Sequence, residues 1–149
     1  ARGLGMSIAA CDPLLPADHP AWADVDRQLL PELLGGSVVV SLHVPLTETT
    51  RNMLDAAALA LMKPDAILIN AARGGIVDEM ALCEALRGGR LGGAALDVFA
   101  HEPVDATAGM RFADVPNLIL TPHIAGVTDE SNVRVSSVTA QAVARHLRG

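Results

Sequence analysis

The sequence predicts an α/β protein built on a doubly wound parallel sheet, and three observations predict it. Short apolar runs recur along the chain, bounded by turn residues. These runs are continuous and do not alternate with polar residues, which suits strands buried on both faces of a parallel sheet. Patterns of helical period lie between them, so strand and helix alternate as βαβ units require.

The strands are expected at Met6–Cys11, Val38–Val44, Ala66–Ile69, Ala94–Val98 and Leu118–Leu120. All are short and rich in aliphatic or β-branched side chains. Helices are expected over Asp55–Met62, closed by Pro64, and over Asp78–Arg87, which opens on an acidic cap and ends at Gly88-Gly89. A long helix is expected over Thr128–Leu147. Asp129 and Glu130 stand in its first turn and Arg145, His146 and Arg148 at its last, matching the helix dipole. The Gly pairs at 35–36, 74–75, 88–89 and 92–93 fall at element boundaries, and no repeat or low-complexity stretch interrupts the chain.

Composition bounds the function. The 149 residues amount to one domain. A net charge of −6 argues against a phosphate-backbone binder, so no nucleic-acid partner is expected. Half the residues are hydrophobic and 19% charged, which excludes disorder. No apolar run approaches the length of a membrane span. Cys11 and Cys83 form neither a disulfide framework nor a metal-ligand spacing and read as reduced thiols; with no secretory leader in view, the expected compartment is the cytoplasm. Mean hydropathy is +0.34 and aromatic residues are 2%, with no tyrosine. A chain this apolar is expected to bury surface against something outside these residues, such as a further segment, a second domain or a partner subunit.

In a parallel α/β sheet, ligands bind beyond the carboxyl ends of the strands. The residues following the five strands are Asp12-Pro13, then His43-Val44-Pro45, then Asn70-Ala71-Ala72-Arg73-Gly74-Gly75, then Asp97 leading to His101-Glu102-Pro103, and finally Thr121-Pro122-His123-Ile124-Ala125-Gly126. An acid, a base and a guanidinium therefore converge on one edge. Each has a plain reading beside the functional one. Asp12 either caps a turn before Pro13 or accepts hydrogen bonds from the ribose of a dinucleotide, in which case it repels a 2′-phosphate and favours NAD over NADP. Arg73 is either a surface ion-pair partner or a fork for a carboxylate. His123 is either an ordinary loop histidine or an acid–base group, with Glu102 placed to hold the ring and favour its charged form. His43 is a pocket-lining or structural residue.

Four stretches, SLHVPLTETTRNML, KPDAILINAARGGIVDEMAL, GGAALDVFAHEP and PNLILTPHIAGVT, resemble in order and spacing the cofactor-binding half of the D-isomer-specific 2-hydroxyacid dehydrogenases, the family of phosphoglycerate dehydrogenase and of glycerate and hydroxypyruvate reductases. They cover most of Ser37–Thr128. The resemblance implies a Rossmann-type sheet lacking its first strand and Gly-rich loop. Residues 1–149 would then be the greater, C-terminal part of the NAD-binding domain, with the substrate domain outside this chain. It implies transfer of a hydride between NAD(H) and a 2-hydroxy acid/2-keto acid pair. Arg73 matches the arginine that binds the substrate carboxylate, Glu102 the acid paired with the catalytic histidine, and His123 the proton donor and acceptor. Asp97 matches the aspartate near the nicotinamide carboxamide and Asp12 the ribose anchor. His43, Val44, Pro45, Ala71, Ala72, Arg73, His123, Ile124, Ala125 and Gly126 fall where the family lines its cofactor. The resemblance also implies a homodimer through the cofactor domain and a small 2-hydroxy or 2-keto acid substrate, whether glycerate, phosphoglycerate, lactate-like, sulfonated or branched. Two rival readings stay open at this point: an NAD-sensing module of the kind that serves as a transcriptional corepressor, and an inert piece of a dehydrogenase.

Overall fold

The computed structural model describes residues 1–148. Six parallel-pairing strands fall into two sheets: β1 (Ala9–Ala10) pairs with β2 (Asp26–Arg27), and β3 (Val39–Leu42), β4 (Ile67–Asn70), β5 (Gly93–Leu96) and β6 (Leu118–Leu120) pair in chain order. The helices are α1 (Leu30–Gly36), α2 (Ala56–Ala60), α3 (Glu79–Arg87), α4 (Ala106–Gly109) and α5 (Asp129–Leu147), with short 3₁₀ turns at Arg2–Leu4, Pro20–Trp22 and Met110–Phe112.

Helix starts are set by side-chain caps: the acidic one expected for α3, and two that were not singled out from sequence. Asp55 accepts the Ala58 N–H, Asp78 accepts those of Met80 and Ala81, and Thr128 accepts that of Ser131. Two helices and one strand escape the sequence pattern. α1 carries Pro31 in its first turn and ends on Gly35-Gly36, residues that read as punctuation; Glu32 caps it by reaching back to the Leu29 N–H. α4 is a single turn capped by Asp105. β2 is two polar residues whose extended state comes from pairing with β1.

Register builds the core in rows. Val40, Leu68, Ala94 and Leu118 lie side by side across the four strands, and Leu42, Asn70, Leu96 and Leu120 form the next row on the same face. Against this face pack Leu34 of α1, Leu59 of α2, and Leu82, Cys83, Ala85 and Leu86 of α3, all in one buried cluster. The opposite face carries Val39, Ile67 and Ile119, all exposed. Burial on both faces, expected from the continuous apolar runs, is thus met on one face only among the described residues. The physical reason is directional. Strands that advance in chain order through crossovers of one hand place all their helices on one side; helices reach the other side only where strand order reverses.

Candidate active site at the carboxyl edge of the sheet

The site is assembled from three turns that leave neighbouring strands. After β4, the side chain of Asn70, buried at the end of its strand, folds back on the chain. Its Oδ1 accepts the Ala72 N–H at 3.1 Å and its Nδ2 donates to the Arg73 carbonyl at 3.0 Å. The backbone that presents Arg73 is thereby fixed. The Arg73 guanidinium donates to the Ala72 carbonyl at 2.6 Å and has no carboxylate partner among the described residues.

Gly74 follows at a point where no side chain fits: a Cβ there would stand 1.7 Å from the carbonyl oxygen of Phe99. This close approach ties the Arg73 turn to the loop after β5. Gly75, at φ 79°, completes the turn in a conformation that glycine adopts freely.

After β5, Asp97 is 6% exposed, and both its oxygens are used. Oδ1 accepts the Thr121 hydroxyl and the Ile124 N–H, and Oδ2 accepts the Ala125 N–H at 2.8 Å. Burial pushes the Asp97 carboxyl up. The Thr121 hydroxyl and the two N–H donors, with the charge of His123, outweigh that push and hold it below the ordinary carboxylate range. Asp97 thus organises the third turn, and Ile124 and Ala125 meet it through their backbone.

That turn carries His123 at φ 55°, a left-handed conformation that costs a side-chain-bearing residue roughly 1–2 kcal/mol. The bonds to Asp97 on either side of His123 sustain it. The imidazole Nδ1 lies 2.8 Å from Oε2 of Glu102, whose Oε1 accepts the Phe99 N–H at 2.8 Å. The His123 bond, the Phe99 N–H and the imidazole charge hold the Glu102 carboxyl low against a smaller opposing push from burial. With Nδ1 engaged, Nε2 is the ring atom left for a ligand (no protein partner bonds it among the described residues). Glu102 and His123 line an open cleft of about 680 Å³ with Phe99, Val104, Phe112 and Leu120. Arg73 does not line this cleft; it joins the site through Gly74 and the Phe99 backbone.

The remaining expected residues have more modest roles, and Asp12, expected on the edge shared by all five strand ends, follows β1 in the separate two-stranded sheet. Asp12, exposed after β1, accepts the Leu14 N–H with Oδ1, so the turn-capping reading holds for one oxygen and Oδ2 stays free. His43 Nε2 meets the Ser41 hydroxyl at 3.0 Å. Val44 and Ala72 pack against the core, the Pro45 carbonyl accepts the Thr50 hydroxyl, and Ala71 and Gly126 are exposed. Asn70 and Thr121, which fix the two reactive turns, were not singled out from sequence; a polar residue closing an apolar strand is the signal that would have marked them.

A parallel sheet covered by helices on one face, with a histidine–carboxylate pair and a guanidinium without an acidic partner in the turns at its carboxyl edge, has the architecture of an α/β domain that binds ligands at that edge. A family model, D-isomer specific 2-hydroxyacid dehydrogenase, NAD binding domain, matches residues 1–125, and the chain belongs to that family. It is 55% identical to an (S)-sulfolactate dehydrogenase of Chromohalobacter salexigens over 99% of this chain and 47% of that protein. It is 48% identical to a glycerate dehydrogenase of Methylorubrum extorquens over 88% of this chain and 39% of that protein. Among solved structures it superposes on a D-lactate dehydrogenase of Aquifex aeolicus, in complex with NAD and lactic acid, with a TM-score of 0.86, 33% identity, and coverage of 99% of this chain and 48% of that one. The chain spans just under half the length of that sulfolactate dehydrogenase, 39% of the glycerate dehydrogenase and 26% of a D-3-phosphoglycerate dehydrogenase of Synechocystis.

The residues present fit NAD. The free Oδ2 of Asp12 suits a ribose diol, the small side chains of Ala71 and Ala72 let a ligand approach backbone, and Ala71, Ala72, Asp97 and the 121–126 turn follow the carboxyl ends of neighbouring strands of one sheet. A carboxylate at Asp12 opposes a 2′-phosphate.

Proposed function

We propose that the protein carrying this chain is an NAD-dependent oxidoreductase that interconverts a 2-hydroxy acid and its 2-keto acid. The observation that carries the reading is the Glu102–His123 pair, which engages imidazole Nδ1, leaves Nε2 without a protein partner among the described residues and lines an open cleft. Bound NAD supplies the redox chemistry, and the side chains supply orientation and proton movement. His123 Nε2 takes the hydroxyl proton in oxidation and returns it in reduction. Glu102 holds the ring through Nδ1, which fixes its orientation and leaves Nε2 available. Arg73, free of any acidic partner, grips the substrate carboxylate and orients the reacting carbon. Asp12, His43, Val44, Pro45, Ala71, Ala72, Asp97, Ile124, Ala125 and Gly126 line the cofactor, with Asp97 acting through the turn it holds.

Residues 1–149 form the greater part of the NAD-binding domain in this reading, and a substrate domain beyond them sets which acid is bound. The similarity to a sulfolactate dehydrogenase puts 3-sulfopyruvate first among substrates to try, beside hydroxypyruvate, its 3-phosphate and pyruvate. The exposed apolar side chains Val39, Ile67 and Ile119 support burial against further protein, and we assign the enzyme to a cytoplasmic homodimer.

The test is a steady-state NADH assay on the complete gene product with that panel. His123→Asn lowers kcat by about 10²–10⁴-fold, the range that a positioned acid–base group contributes. Arg73→Ala raises KM for the keto acid and lowers kcat/KM. Glu102→Gln shifts the pH profile. If all three variants turn over every acid within a few-fold of the unsubstituted enzyme, the assignment fails. NADH binding with no turnover of any acid would favour the NAD-sensing module.

A further inference from the structure

Beneath the Glu102 loop lies a charged cluster that the mechanism leaves unused. Glu79, the first residue of α3, is 7% exposed. One of its oxygens accepts the Ala100 N–H at 2.6 Å, and the other meets Nη1 of Arg111 at 2.9 Å. Arg111 also donates Nε to the Ala108 carbonyl at 3.0 Å, and its guanidinium lies 5.9 Å from the centre of the Phe112 ring. Arg87, at the end of α3, donates to the carbonyls of Arg111 and Ala113. A carboxylate taken out of water is costly unless every lone pair has a partner, so a buried glutamate spent on one loop amide is a constraint worth explaining.

The amide it holds sits at a junction. The Phe99–Ala100 peptide has its carbonyl against Gly74, beside Arg73, with no room for a Cβ between them. The Phe99 N–H holds Glu102 Oε1, while Glu102 Oε2 holds His123. The two arms of the site, Arg73 on one side and Glu102–His123 on the other, therefore register on the same short piece of backbone. Glu79 fixes that piece from below.

We propose that Glu79, braced by Arg111, is a positioning residue. It locks the Phe99–Ala100 peptide so that the Arg73 turn and the Glu102–His123 pair keep a common register. The proposal rests on the oxidoreductase reading above, and it deepens that reading by naming what aligns the acid–base pair with the carboxylate grip.

The test uses the complete gene product and three variants. Glu79→Leu removes the acceptor for Ala100. Glu79→Gln keeps an oxygen for Ala100 and discards the charge. Arg111→Met leaves the Ala100 bond and removes the brace. Proton NMR reads the hydrogen-bonded Nδ1–H of His123, a downfield signal that Glu102 sustains. Glu79→Leu is expected to broaden or abolish it while the fold, checked by circular dichroism, persists. Glu79→Gln restores it, and Arg111→Met weakens it. Because misalignment near the chemistry costs up to about 10²-fold in rate, kcat in Glu79→Leu falls about 10- to 100-fold with KM for NADH little changed, and its pH profile moves toward that of Glu102→Gln. A folded Glu79→Leu variant that keeps the downfield signal and the original pH profile overturns the proposal.

Hydrogen exchange on the unsubstituted protein keeps the question open to refutation even if that variant does not fold. The Phe99 and Ala100 amides must exchange at least about tenfold more slowly than that of His101, as firmly bonded amides do beside a free one. Equal rates overturn the proposal. If no keto acid is turned over at all, the oxidoreductase reading falls, while the NMR and exchange results still decide the role of Glu79.

Discussion

α3 and α5 are both capped, both of helical period, and both legible in the sequence, yet they depend on opposite forces. α3 is nine residues long and buries Ala81, Leu82, Cys83, Ala85 and Leu86 against the sheet; α5 is nineteen residues long and buries none. Val133, Val135, Val138, Val143 and Leu147 of α5 are all exposed. A short helix is marginal in water on local terms and is held by its packed face, whereas a long one leans on caps, dipole and propensity. The comparison teaches that an apolar stripe in the sequence shows what an element can bury, not that the partner is in the same stretch of chain.

The strongest way to break this comparison is to cut the packed side. Leu82→Ala in α3 should cost about 2–5 kcal/mol, the range for emptying a fully buried leucine site, as read by urea unfolding. Gly74→Ala pushes a methyl into the Phe99 backbone and should cost about 1–3 kcal/mol by the same measurement, with loss of the Glu102–His123 contact. A cost near zero for either variant would show that the α3 face and the loop above it are looser than the packing indicates.

Acid should sharpen the contrast further. Asp97 and Glu102 are both held below their ordinary values in the folded chain. Their contribution to stability is complete above the unfolded carboxylate range of about pH 4 and is lost as pH falls through the lower folded values. The Glu102 share is reduced by its exposure to solvent. Unfolding followed from about pH 7 down to about pH 3 should show an acid-side loss that Asp97→Asn makes shallower. An unchanged slope in that variant would mean that the 121–125 turn does not need the charge.

On the α5 side effects are smaller. Thr128→Ala removes the cap on the Ser131 N–H and should cost about 1 kcal/mol, seen first as fraying in amide exchange of the first turn. Val138→Ala, on the exposed stripe, should change unfolding of this chain by less than about 0.5 kcal/mol. A larger loss in the complete gene product than in the isolated chain would reveal that α5 is covered there.

The candidate site was legible because its residue types are rare in apolar surroundings and each follows a strand end. Residue type and position brought Arg73, Glu102 and His123 forward as candidates from three separate turns, and the resemblance of the surrounding stretches gave them their expected roles. Their supports were not legible. Asn70 reads as one more small polar residue, and Glu79 as one more acidic residue in a helix's first turn. Only the sheet brings Glu79 beneath Ala100, twenty-one positions away, or Asp97 onto the backbone of Ile124 and Ala125.

By itself the sequence determined the alternation of strand and helix, the capped starts of α2, α3 and α5, and the polar residues at the strand ends. Each is a local property of hydrophobic period, backbone chemistry and turn stereochemistry. Tertiary structure alone decided which face of the sheet was covered, that two polar residues could pair as β2, and which carboxylates would face inward. Those outcomes depend on the order in which strands are laid side by side, and pairing between distant segments leaves no mark in any one of them.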